Sequence, residues 1–107
     1  MNVMNDPVLE KIIERLKAEF HPSRMFLFGS RANGNAHPDS DYDLVLVVQS
    51  SDRSRLDRME QARLALKGLD VSADVFVYTE PEFDKWKDEF SSIAETALNT
   101  GRELRVG

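Results

Sequence analysis

The sequence predicts an α/β (α+β) domain in which helices flank a small mixed sheet of three or four strands. Short apolar runs at 25–28, 42–48 and 71–78 have the length and composition of buried strands. Stretches with apolar residues at helical spacing alternate with them. Caps and breakers stand at the joints between the two kinds of segment. With 107 residues, one domain spanning 1–107 is the expectation, built on a single modest core.

Asp6-Pro7 opens the first helix, with an N-cap acceptor followed by proline at the first helical position. Val8, Ile12, Ile13, Leu16 and Phe20 form its apolar stripe, and His21-Pro22-Ser23 ends it. Met25-Phe26-Leu27-Phe28 is a wholly apolar strand. One or two helical turns are expected after Ser30, broken at Gly34, before the next strand begins at Tyr42. Residues 42–48 are apolar on both faces, as in a central strand covered on both sides. Polar residues 49–52 lead into a second helix whose buried stripe is Leu56, Met59, Ala62 and Leu66, with Gly68 at its end. Residues 71–78 form a third strand. Thr79-Glu80-Pro81-Glu82 reads as a capping box. It opens a last helix that carries Phe83, Trp86, Phe90, Ile93 and Ala97 at steps of three and four and closes at Gly101. Glu103-Leu104-Arg105-Val106 reads as a short edge strand or a frayed tail.

Composition removes several function classes. The absence of cysteine excludes disulfides and thiolate metal sites and suits a cytoplasmic protein. No apolar run is long enough to cross a membrane, and the first residues lack the basic start and apolar core of a signal peptide. A net charge of −5 disfavours direct nucleic-acid binding, which needs clustered Lys and Arg. Arg53, Arg55, Arg58 and Arg63 alternate with Asp52, Asp57 and Glu60 and read as a solvated, charge-mixed helix face.

The chemistry concentrates in one stretch. Gly29-Ser30 ends the first strand, ten residues follow, and Asp41-Tyr42-Asp43 starts the next. Side chains alternate across a strand, so Asp41 and Asp43 share a face while Tyr42 points away. Two carboxylates on one face repel each other and resist desolvation, and a bound cation reverses that penalty. Oxygen-only donors favour Mg²⁺ or Mn²⁺ over Zn²⁺. A glycine allows close backbone approach, and a turn starting at Ser30 presents N–H groups and a hydroxyl to an anion. If the two strands are antiparallel neighbours, both elements meet at one end of the sheet. A helical crossover makes the third strand parallel to the second and brings its acid, Asp74, to that same end. Three acids there suit two metal ions about 3.5–4 Å apart. His21 reads as a helix-end residue, His37 as a solvated loop residue and Asp39 as a turn residue. The spacing of Phe83, Trp86 and Phe90 reads as core.

With Gly29, Ser30, Asp41, Asp43 and Asp74 in this pattern, the chain resembles a minimal nucleotidyltransferase (MNT) of the polymerase-beta-like superfamily over residues 7–106. The resemblance implies transfer of a nucleoside monophosphate from a triphosphate, ATP, to a hydroxyl. It implies that Asp41, Asp43 and Asp74 hold two Mg²⁺ ions and that Gly29, Ser30 and Arg31 bind the phosphates. Asp74 would also help deprotonate the acceptor. Members of this minimal size resemble the antitoxin halves of two-gene toxin–antitoxin modules, whose partner is a helical HEPN ribonuclease toxin. The implied reaction is then adenylylation of that toxin, at tyrosine. Two other readings stand beside it: an antitoxin that neutralises its partner by contact alone, and a nucleotidyltransferase for a small molecule. A metal-dependent sugar transferase also uses Asp-x-Asp, but it leaves the Gly-Ser element unexplained.

Overall fold

A computed structural model describes residues 6–34, 37 and 40–106. Helix α1 (Pro7–Phe20) precedes strands β1 (Arg24–Phe28) and β2 (Tyr42–Val48). Helix α2 (Arg55–Ala65) leads to β3 (Ala73–Thr79), followed by α3 (Glu80–Trp86), α4 (Ile93–Thr100) and β4 (Arg102–Leu104). The strands form one sheet in the order β3-β2-β1-β4. β1 is antiparallel to both β2 and β4, and β2 is parallel to β3. The mixed, flanked sheet is the predicted fold class, and the C-terminal segment is its edge strand.

Strand alternation sorts the core into two layers. On one face Met25, Leu27, Leu44, Leu46, Val75 and Val77 pack with Leu9, Ile12, Ile13 and Leu16 of α1 and with Ala62 and Leu66 from α2 and its C-cap. On the other face Phe26, Val45, Val47 and Tyr78 pack against Phe83 of α3 and Ala94 and Ala97 of α4. Asp6 caps α1 by accepting from the Val8 and Leu9 N–H groups at 3.0 and 3.1 Å. The buried stripe of α1 starts at Leu9, not Val8, which is exposed. Leu9 is the residue three before Ile12 and four before Ile13, so it lies on their face.

Two further expectations change. The predicted last helix is two helices. Residues 87–92 interrupt it, Ser91 takes a left-handed φ of 65°, and Ser92 caps α4 by accepting the Glu95 N–H at 3.0 Å. Phe90 falls in this break and is 92% exposed, outside the core. On α2, Leu56 is 77% exposed while Arg58 is 4% exposed. Arg58 therefore does not belong to a solvated face. Its guanidinium donates to the Arg53 carbonyl at 3.0 Å, the Val77 carbonyl at 2.9 Å and the Glu82 carboxylate at 2.7 and 3.2 Å. Glu82 also accepts the Thr79 N–H at 2.8 Å and completes the capping box of α3. The bond from Arg58, the larger effect, and the Thr79 N–H hold the Glu82 carboxyl below its usual range. One ion pair thus joins α2, β3 and α3, and satisfied donors make the burial of the arginine tolerable.

Arg58→Ala is expected to lower stability by about 2–4 kcal/mol, because the Val77 carbonyl and Glu82 lose a shared donor. Urea unfolding measures this. A loss under about 0.5 kcal/mol, the size of an ordinary surface change, contradicts the assignment.

Candidate active site

The sheet register assembles the site. Phe28 pairs with Asp43 across the antiparallel β1–β2 ladder. Gly29 therefore leaves β1 beside the start of β2. Asp43 pairs with Asp74 across the parallel β2–β3 ladder. Neighbouring strands lie about 4.8 Å apart, and residues in register share a face, so the two carboxylates flank each other. Both lie on the face covered by α3 and α4, at the end the helices leave open. Asp41 precedes β2 and is exposed, as is Asp74, while Asp43 is half-buried.

Gly29 and Asp43 are in direct contact. Gly29 has a φ of 77°, and a Cβ placed on it would lie 2.4 Å from Asp43 Oδ2. The carboxylate rests on the bare Cα, which is why glycine is required on conformation and on space alike. Residues 30–34 then form a turn, not a helix, closed by the Ala32 N–H to the Gly29 carbonyl at 3.0 Å. The Ser30 hydroxyl forms no hydrogen bond among the described residues. It stays available at the mouth of the site.

Burial raises the Asp43 pKa above its ordinary value, and the negative charges of Asp74 and then Asp41 raise it further. Phe28 opposite it and Phe76 two residues beyond Asp74, with ring centres 6.2 Å apart, supply the apolar surroundings. Asp74 and Asp41 therefore both act on Asp43. The three acids do not close into a three-ligand metal cluster among the described residues. The donor chemistry still fits a hard divalent cation, because the central carboxylate is partly desolvated and faces only like charge.

Arg31 is placed differently. Its Nε and Nη2 both donate to the Ser40 carbonyl, at 2.9 and 2.7 Å. Its guanidinium carbon lies 4.0 Å from the centre of the Tyr42 ring, on the face of β2 opposite Asp43. Tyr42 in turn donates its hydroxyl to Asp6 Oδ2 at 2.7 Å. Burial, then the bond to Asp6, push the Tyr42 phenol up to about 12. Neither Tyr42 nor Asp6 stood out as a site residue in the sequence. The only available signal was an aromatic residue set between two acids. His37 is exposed; its N–H donates to Ser40 Oγ at 3.0 Å, as suits a loop residue. Asp39 lies outside the described residues.

The sequence pattern of the nucleotidyltransferase domain family matches residues 9–99. The chain belongs to that family. The match spans β1, β2 and β3, the strands that bring Gly29, Asp43 and Asp74 together. A candidate nucleotidyltransferase from Sulfolobus solfataricus is 28% identical, with a TM-score of 0.56 over 73% of this chain and 69% of its own. A chain from a toxin–antitoxin crystal structure with AMP-PNP is 22% identical, with a TM-score of 0.63 over 92% of this chain and 73% of its own. At that identity the likeness is one of fold. No curated protein matches the chain in sequence. No helix among the described residues is long and apolar enough to cross a membrane.

Two measurements test the electrostatics. Because the fold raises the Asp43 pKa, it disfavours the ionised form. The penalty is absent below the ordinary carboxylate value of 3.8 and complete above the raised one. Asp43→Asn is therefore expected to melt above wild type at pH 7 in chelator, with the gap closing in acid. A variant that melts lower at pH 7 refutes the assignment. Tyr42 has the same sign in an alkaline window: its stabilising contribution is whole below pH 10.0 and lost as pH rises through about 12. In Tyr78→Phe, which leaves Tyr42 as the one tyrosine, ultraviolet titration should find the phenolate midpoint near 12, not 10.0.

Proposed function

We propose that this chain transfers a nucleoside monophosphate from ATP to a hydroxyl of a protein partner. The observation that carries the reading is the Gly29–Asp43 contact with Asp74 alongside. It sets a phosphate-binding turn against a carboxylate pair at one sheet end. Ser30 and the N–H groups of the turn after Gly29 bind the β- and γ-phosphates. Asp41, Asp43 and Asp74 would hold magnesium, which when bound neutralises phosphate charge and lowers the pKa of the acceptor hydroxyl. Asp74 faces the acceptor. The acceptor oxygen gives its proton to a carboxylate and bonds to the α-phosphorus, the bond from that phosphorus to the bridging oxygen breaks, and pyrophosphate leaves. A shallow groove of about 250 Å³ between α2 and β3, lined by Asp74, Leu56, Met59 and Val75, offers an approaching segment apolar surface beside that carboxylate.

The partner in this reading is a helical HEPN-type toxin, adenylylated at a tyrosine and thereby neutralised in the cytoplasm. One point supports it: the fold matches a chain of a toxin–antitoxin structure with AMP-PNP.

The test is co-expression with the neighbouring helical protein, followed by intact-mass measurement. The partner is expected to gain one or more nucleoside monophosphates with wild type and none with Asp41→Asn or Asp43→Asn. Ser30→Ala is expected to slow transfer by about tenfold, less than the 10²–10³ lost with a dedicated oxyanion donor, because backbone N–H groups remain. Neutralisation by Asp41→Asn with no mass change in wild type would instead establish a contact-only antitoxin. Label appearing on a small molecule would establish the third reading.

A further inference from the structure

We propose that Arg31 is a positioning residue. It locks the mouth of the loop between the Gly-Ser and Asp-x-Asp elements and so holds the turn after Gly29 and Asp41 in place on the sheet end that the strand register builds. Arg31 follows Ser30 directly, and Ser40 precedes Asp41 directly. The paired bonds from Nε and Nη2 to the Ser40 carbonyl, at 2.9 and 2.7 Å, are therefore a cross-link between the two halves of the motif. The β1–β2 ladder already fixes Gly29 against Asp43, so the link acts on what lies outside the ladder: the turn at 30–34 and Asp41.

The cross-link is itself anchored. The Tyr42 ring lies under the guanidinium at 4.0 Å and confines it to one plane, a stacking worth most where the ring is buried. Tyr42 is 5% exposed, and its hydroxyl is tied to Asp6 Oδ2 at 2.7 Å. Asp6 Oδ1 caps α1, and Asp6 Oδ2 also stands 4.0 Å from Arg31 Nη1. The chain of contacts Ser40–Arg31–Tyr42–Asp6 thus fastens the loop to the first turn of α1. It runs along the face of β2 opposite Asp43, so the arginine fork is directed at the loop and not at the carboxylates.

This assignment separates Arg31 from a phosphate ligand in a measurable way. A lysine keeps the charge but cannot supply a planar fork that stacks on a ring. The activity arm rests on the nucleotidyl-transfer reading; the amide-exchange arm does not. In hydrogen exchange on the full chain, the Ala32 and Ser40 amides, held now by the Gly29 and His37 carbonyls, are expected to exchange about tenfold faster or more in both Arg31→Lys and Arg31→Ala. Tyr42→Phe, which keeps the ring and loses the Asp6 bond, should speed them less. In transfer assays, both Arg31 variants should lose kcat by a similar factor, about 10–100-fold, as expected for a misplaced reacting group. Wild-type exchange at those amides in Arg31→Ala overturns the clamp, whatever the activity. Arg31→Lys with wild-type kcat and a raised KM for ATP overturns it too and makes Arg31 a charge ligand for phosphate. If wild type transfers to no acceptor, the nucleotidyl-transfer reading fails and the exchange rates alone decide the clamp.

Discussion

The contact between the Asp43 carboxylate and the bare Cα of Gly29 is the constraint on which the site depends. It can form only if β1 and β2 are antiparallel in the observed register, if residue 29 has no side chain, and if the backbone there takes a positive φ. Each condition is met once, and together they put the Gly-Ser turn and an acidic strand end in one place. The cost is electrostatic: a half-buried carboxylate with two like charges near it is held partly against its ionisation. The two apolar layers offset that cost. They cover both faces of β2 beyond Asp43, and the strand has no other place to go.

A second polar device sits at the far end of the same sheet. Arg58 reaches from α2 to the Val77 carbonyl and to Glu82, and Glu82 caps α3. The device fixes how α2 and α3 meet the C-terminal end of β3, while Asp74 lies near its N-terminal end. At the acid end the strand register sets Asp43 against Asp74 and Gly29, and the residues outside the strands need other anchors. There the side chains of Arg31, Tyr42 and Asp6 take over from secondary structure.

Much of this was legible from residue order. Strand alternation put Asp43 on the face opposite Tyr42, and the helical crossover placed Asp74 beside it, since parity and topology are properties of the backbone. The capping signals at Asp6 and Thr79 were equally plain, because they act over three residues. What escaped was either side-chain reach or a conflict between signals. Nothing in helical spacing distinguishes a buried Arg58 from a solvated one; its burial depends on acceptors that other elements bring to it. The split between α3 and α4 was hidden because Phe83, Trp86, Phe90, Ile93 and Ala97 keep a helical period straight through it. The competing signal was Ser91-Ser92, where one serine turns left-handed and the next caps. The role of Arg31 was hidden for the same reason as that of Arg58, since its partners at Ser40 and Tyr42 meet it only in three dimensions.

The register of β2 also has a consequence for how the chain reaches its native state. If β2 slipped by one residue against β1, every side chain would change face. Asp43 would be driven into the layer beneath α1 and α2, and Leu44 and Leu46 would lose their places in it. The charges that define the site would then make the misaligned hairpin far less stable than the correct one. The same carboxylates that equip the sheet end for chemistry act during folding as proofreaders of strand alignment, so a chain that completes its core has also assembled its site.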